Sequence, residues 1–307
     1  NLLTDGHVTA EYLVIPDGTN CEAAAGSFSG GIPLSNDGNF GASGDYRVCL
    51  KLTDAMGNEG FDVSSIITFD EIDPGPAANI MIGDSSPHSS TTLAMDYTEG
   101  SDDYSGVTYN VKACEDLGCS SNCVGDSSGL KPINISGLND NTTYFACVQT
   151  VDERGNQSDF VGSINTVTTD LGGPQVNSVH ATASDGAYKS GDSMDIVVTF
   201  SEAAYASGTA TLTLDNGAVL NYSGGDGTAT WSFAYTVAGG QTSADLDYAS
   251  ISALTAGGSV KDDAGNDATL TLPAVGSAGS ISFNQDIIID TTSPSVASDV
   301  AIDQGNN

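Results

Sequence analysis

The stretch Tyr144-Phe145-Ala146-Cys147-Val148-Gln149-Thr150-Val151-Asp152-Glu153-Arg154-Gly155-Asn156 decides the fold class. Its first eight residues are rich in aromatic and β-branched side chains, as a strand requires. The run then breaks at an Asp with Gly and Asn close behind. Asp caps such a turn with its side chain, and Gly-Asn supplies the left-handed backbone position. The same strand and turn occur earlier, as Tyr46-Arg47-Val48-Cys49-Leu50-Lys51-Leu52 followed by Asp54-Ala55-Met56-Gly57-Asn58. Tyrosine, cysteine and turn keep one register in both places. A third D-x-x-G-N stands at Asp262-Asp263-Ala264-Gly265-Asn266. A phrase that returns in this way marks a chain built from repeated modules.

Working outward, each turn is followed by a β-rich run and then by an acid four residues before a proline: Asp70 to Pro74, Asp170 to Pro174, Asp290 to Pro294. Proline ends a strand ladder and stiffens a connector, so these are the module joints. They divide the chain into 1–73, 74–173 and 174–293, with 294–307 as the start of a further module or a donor strand. Pro294 to Ile302 resembles Pro74 to Ile82, and the opening strands of the first module are expected to be missing or very short. The chain starts at Asn1 with no initiator Met and no signal sequence, so its beginning is expected to have been removed.

Ile196–Phe200, Thr209–Leu214 and Thr228–Val237 alternate with period two, which half-buries a strand on one face. Asp215-Asn216-Gly217 predicts a hairpin with a type I′ turn. No stretch of twelve residues carries helical periodicity with caps. The expected class is all-β: tandem sandwiches in an elongated array.

Composition narrows the function. Lys and Arg number 7 against 40 Asp and Glu, a formal charge of −33, which excludes a general binder of nucleic acid. The same charge opposes docking on an anionic membrane. No stretch reaches the ~20 apolar residues of a membrane span, so no membrane insertion is expected in this segment. A polyanion of this size repels itself when compact and calls for salt or bound cations.

In residues 75–172, Leu93-Ala94-Met95, Val107–Val111, Ile135–Leu138, Tyr144, the Asp152 turn and Ser158 resemble a fibronectin type III domain. The Leu138/Tyr144 pair resembles that family's tyrosine corner, although no Trp occupies the second strand and Met95 or Tyr97 must fill its place. Residues 1–73 resemble the later strands of a similar module. Residues 174–290 are similar instead to the Ig-like repeats of large bacterial surface adhesins, on Val198–Glu202, Thr211–Gly217, Lys261–Asn266 and Ile289–Pro294. Such folds host many functions, so the residues of each site must carry the argument.

Calcium is the cofactor the residues point to. A hard cation takes six to eight oxygens at about 2.3–2.6 Å, and an Asp and an Asn flanking a Gly turn can direct oxygens to one side. The acid ahead of the next proline is expected to join them. The candidate sets are Asp54, Asn58, Asp70 and Asp73; Asp152, Asn156 and Asp170; and Asp262, Asp263, Asn266 and Asp290. For the third set the adhesin resemblance also implies calcium between neighbouring domains. The alternative is a turn in which Asp merely caps the backbone.

All six cysteines lie in the first half. An even count in small β modules favours disulfides and an oxidising, extracellular or cell-surface location. Cys21 is expected to pair with Cys49, and Cys147 with one of Cys114, Cys119 or Cys123, the other two pairing locally. By strand alternation from the tyrosines, Cys49 and Cys147 are expected to face outward.

Catalysis finds little support: His7, His88 and His180 are scattered, and the common nucleophile, zinc-protease and phosphate-loop motifs are missing from the sequence. The lone Trp231 alternates with Phe233 and Tyr235 and reads as core in preference to a sugar platform. The expected function is a non-catalytic stalk or adhesive-fibre segment of a bacterial surface protein. Its expected partner is a ligand or glycan on a host or neighbouring cell. Two further readings are a homo-oligomer, in which filament subunits donate strands head to tail, and accessory modules of a secreted polysaccharide hydrolase.

Overall fold

The computed structural model describes residues 8–24, 29–30 and 42–295. His7 and most of the 294–307 segment lie outside them. Strand dominates the described residues and helix is almost absent from them, so the protein is all-β with several antiparallel sheets. Its one α-helix among the described residues is the single turn Ile281–Asn284, capped by Ser280. The chain divides into two compact units. The first comprises Asn1–Asp84, Thr92–Leu138 and Thr142–Val167; the second comprises Ser85–Thr91, Asn139–Asn141 and Thr168–Asn307.

The first unit holds two five-stranded sheets. In one, Ser29–Gly30, Val8–Pro16, Gly44–Asp54 and Glu59–Val63 lie in that order, and Ile67–Phe69 also pairs with Gly44–Asp54. The other contains Val124–Gly129, Val107–Cys114, Thr143–Asp152 and Val161–Gly162 in that order, and Val167–Thr168 also pairs with Thr143–Asp152. Directly opposed pairs Tyr109/Thr150, Val111/Val148 and Ala113/Ala146 put one face of this second sheet toward the core. There they cluster with Ile80, Ile82, Leu93, Ile135 and Leu138. Tyr97 is buried, and its ring meets Tyr109 edge-on at 5.0 Å. Met95 is only half-buried.

The cysteines depart from the outward placement that alternation implies. Cys147 does lie on the face opposite Tyr144, yet both it and Cys49 are fully buried. Disulfides Cys114–Cys123 and Cys119–Cys147 fasten the intervening loop over that face, where Phe160 packs against them. Strand alternation assigns a side; it does not say that the side is wet. Cys21 bonds Cys49 and completes three disulfides, as an oxidising compartment permits.

In the second unit a seven-stranded sheet runs Val176–Ala181, Ser193–Ala206, Thr228–Thr236, Val219–Gly224, Thr211–Thr213, Leu254–Thr255, with Val260–Lys261 on the far part of Ser193–Ala206. Trp231 is fully buried in its core: Phe200 and Tyr222 meet it edge-on, and its indole N–H donates to the Ala204 carbonyl at 3.1 Å. A short parallel pair joins Gly186–Tyr188 to Ile287–Ile289. The hairpin at Asp215–Gly217 is not type I′. Only Gly217 takes a positive φ, and Leu214 bonds both Gly217 and Ala218, which makes a type I turn closed by a glycine bulge.

Candidate metal centres

The three D-x-x-G-N turns share one construction. The Asp backbone N–H donates to the Asn carbonyl in each, at 3.0, 3.1 and 3.2 Å for Asp54, Asp152 and Asp262. The glycine sits at φ +86, +95 and +92 for Gly57, Gly155 and Gly265, a region that favours glycine. One carboxylate oxygen of the Asp accepts the Asn backbone N–H, and the other accepts the Asn side-chain amide at 2.9, 2.7 and 2.8 Å. Hydrogen bonds to the ionised form lower a carboxyl pKa. The side-chain amide of Asn58 is the main cause for Asp54, which lies below its ordinary value. At Asp152 burial is the largest influence and acts upward, but the Asn156 amide and the backbone N–H groups of the turn outweigh it.

At the Asp152 and Asp262 turns the joining acid is the one that precedes the turn in the chain, Asp70 and Asp170, not the one that follows it. Carboxylate oxygens of Asp70, Asp102 and Asp152 all lie within 4.8 Å of one another. Asp170, Glu202 and Asp262 form the equivalent group. Asn156 donates its side-chain amide to the Asp70 carbonyl at 3.2 Å, and Asn266 donates to the Asp170 carbonyl at 2.8 Å. The third acid follows a serine in both: Gly75 N–H donates to the Ser101 carbonyl, and Ser201 N–H donates to the Gln175 carbonyl, each at 2.8 Å. At the first joint the packing leaves no room for a side chain on Gly100, whose added Cβ would collide with the Gly75 carbonyl and lie 2.6 Å from Thr150 Oγ1.

Asp70 is 8% exposed. Its Oδ1 accepts the Ile72 N–H at 3.0 Å, while Oδ2 is buried and has no hydrogen-bond partner among the described residues. Leaving a buried carboxylate oxygen unpaired is costly. No ion pair among the described residues reaches either group. Two ionised carboxylates about 5 Å apart repel by roughly 3 kcal/mol at an effective dielectric of about 20. Burial first, then the charges of Asp262 and Asp140, push the Asp170 carboxyl above its usual range. Glu202 is raised by burial, then by Asp170, Asp262 and Asp140.

Both groups suit a hard cation. All six side chains are carboxylates, the oxygen donors that such an ion prefers. No free thiol is available to a softer metal among the described residues, because every cysteine is disulfide-bonded.

The remaining candidates lie outside these groups. Asp54, Asn58, Asp73, Asp263 and Asp290 are exposed. Asp263 meets the Tyr205 hydroxyl. Asn156 and Asn266 are half-buried and turn their amide nitrogens toward acid and connector, acting as clasps. Neither Asp102 nor Glu202 stands in the three candidate sets that turns and prolines define. Each follows a serine, Ser101-Asp102 and Ser201-Glu202, but the same dipeptide at Ser158-Asp159 and Ser184-Asp185 makes that a weak signal. Of the histidines, His88 donates its backbone N–H to the Thr168 carbonyl, and His180 is exposed on the strand Val176–Ala181. No protein-family model and no curated protein matches the chain.

Proposed function

We propose that the chain is a non-catalytic segment of an extracellular modular protein, a stalk or adhesive-fibre section of a bacterial surface protein, in which calcium fixes each connector to the module it enters. The observation that carries this reading is the recurrence of one joint: an Asp four residues before a proline, clasped by the Asn of a D-x-x-G-N turn and flanked by a third acid. Fibronectin- and Ig-like modules arranged in tandem are the architecture this reading adopts. Three disulfides support an oxidising location, where calcium is abundant and small cores need covalent help.

The ion's contribution follows from linkage. A ligand that binds the folded state alone stabilises it in proportion to the logarithm of its concentration over Kd, about 2.7 kcal/mol at a hundredfold excess. The test is thermal unfolding in millimolar calcium and in excess chelator at fixed ionic strength. A melting temperature several degrees higher in calcium is the expected outcome. Identical transitions under both conditions refute the reading of the joints.

A further inference from the structure

We infer that the joint at Asp70 carries a binding cleft for a uronate-bearing glycan, whose carboxylate is shared between Arg154 and the cation of the Asp70, Asp102 and Asp152 group. The inference rests on the cation reading of that joint and names a ligand for the same place. Its own support is the cleft itself and the state of one arginine.

Residues 67–71 of the connector and the turn residues Arg154 and Asn156 line a cleft of about 410 Å3. Sites for small ligands commonly measure about 300–1,000 Å3. Asp70 and Asn156 belong to the cleft and to the joint at once, and all of these residues lie in the first unit. The cleft therefore borders the acidic group in which the buried Asp70 Oδ2 has no hydrogen-bond partner among the described residues.

The chain has only 7 Lys and Arg against 40 acids, so a cation without a partner is unexpected. Arg47, Lys51, Lys131, Lys189 and Lys261 all make ion pairs, and Lys112 lies 4.0 Å from the centre of the Phe160 ring. Arg154 is exposed and among the described residues makes neither kind of contact. Its backbone N–H donates to Asp152 Oδ1 at 2.8 Å, which fixes its place beside the acidic group. Met56 and Ala264 stand at the same position of the other two turns, so the charge is particular to this one. A guanidinium fork on the wall of a cleft matches a carboxylate, which it can grip through two N–H groups.

The rest of the lining selects the kind of acid. Ile67 and Phe69 offer an apolar wall to the face of a sugar ring, and Glu71 accepts hydroxyl donors. A uronate brings one carboxylate per ring together with several hydroxyls. An acidic peptide brings successive carboxylates, and Glu71 repels the second of them. A hard cation takes roughly six to eight oxygens, while Asp70, Asp102 and Asp152 also spend oxygens on turn N–H groups, so positions remain for the ligand.

Calorimetric titration of the full chain with a dimer of galacturonic acid tests this, at fixed ionic strength, in calcium and in excess chelator. The expected result is saturable binding in calcium, its loss in chelator, and no binding of the methyl ester of the same dimer. Arg154→Met should weaken binding by roughly tenfold or more. The same variant should keep the calcium-dependent melting temperature, which also shows that it folds. No binding by the unaltered chain, with its melting response intact, overturns the inference and leaves the joint reading standing. Undiminished binding in Arg154→Met overturns it too, because calcium then bridges the dimer to the acidic surface at large. Binding that persists in chelator removes the shared carboxylate, and equal affinity for triglutamate removes the glycan. Loss of the melting response in the unaltered chain removes the joint reading itself, and the inference with it.

Discussion

The side-chain amide of Asn156 donates to the backbone carbonyl of Asp70, eighty-six residues earlier in the chain, at 3.2 Å. The same amide donates to Asp152 Oδ2 at 2.7 Å, so one side chain holds both the turn and the incoming connector. Asn156→Ala removes both bonds in a half-buried setting and is expected to cost about 1–3 kcal/mol. Asn58→Ala removes the single bond of an exposed turn and should cost less than about 1 kcal/mol. Equilibrium urea unfolding of the two variants, followed by far-UV circular dichroism, checks the ranking.

Asp102 and Glu202 lie within one ion's reach of the turn acids. Asp102→Asn and Glu202→Gln should each remove one of two terbium sites in a luminescence titration, terbium serving as the probe for a hard cation. Asp73→Asn and Asp263→Asn, altered at exposed acids outside both groups, should leave two sites. Full stoichiometry in Asp102→Asn would separate the cation from the carboxylate cluster.

The two disulfides of the second sheet close loops of different length. Cys119 and Cys147 are 28 residues apart, and Cys114 and Cys123 are 9 apart. Chain-entropy arguments give roughly 3.6 kcal/mol for the longer loop and roughly 2.6 for the shorter. Paired replacement by alanine should therefore destabilise more at Cys119/Cys147. Guanidinium unfolding of the two double variants measures the order.

Tyr248 is fully buried and its hydroxyl donates to the Pro273 carbonyl at 2.7 Å. Burial first, then the charge of Asp247, raises its pKa from 10.0 to about 12. Because the folded form holds the proton more tightly, the contribution is complete below pH ~10 and is lost as pH rises through about 12. A shift of this size corresponds to roughly 2–3 kcal/mol. Stability of the second unit, read from the fluorescence of Trp231, should fall across that window. Tyr248→Phe should flatten the slope there, at the cost of about 1 kcal/mol at neutral pH for the missing hydrogen bond.

What the sequence made legible was local. The strand that ends at Asp152 and the turn that follows it depend on alternation and on the backbone needs of Gly155, and both are carried by neighbouring residues. The type I′ expectation at Asn216 failed for the complementary reason: Asn tolerates a positive φ without requiring one, and the length of the loop selected the glycine bulge. The burial of Cys147 depends on a loop folded across its face, which alternation does not encode. Joint membership was least legible. Spacing places Asp70 after Asp54 and Asp170 after Asp152, whereas the chain delivers each acid forward to Asp152 and Asp262. Only the tertiary path of the connector determines that partner.

In the second unit the strand Ile287–Ile289 runs parallel to Gly186–Tyr188. On its other side, Ile289 exchanges backbone bonds with Ser243 at 2.8 and 2.9 Å. Two strands about a hundred residues apart thus travel in the same direction, side by side. A pull that draws those two strands apart lengthwise slides one along the other and loads their bonds together, where an antiparallel hairpin pulled at its open end would peel bond by bond. Resistance to tension is therefore written into the direction of three residues.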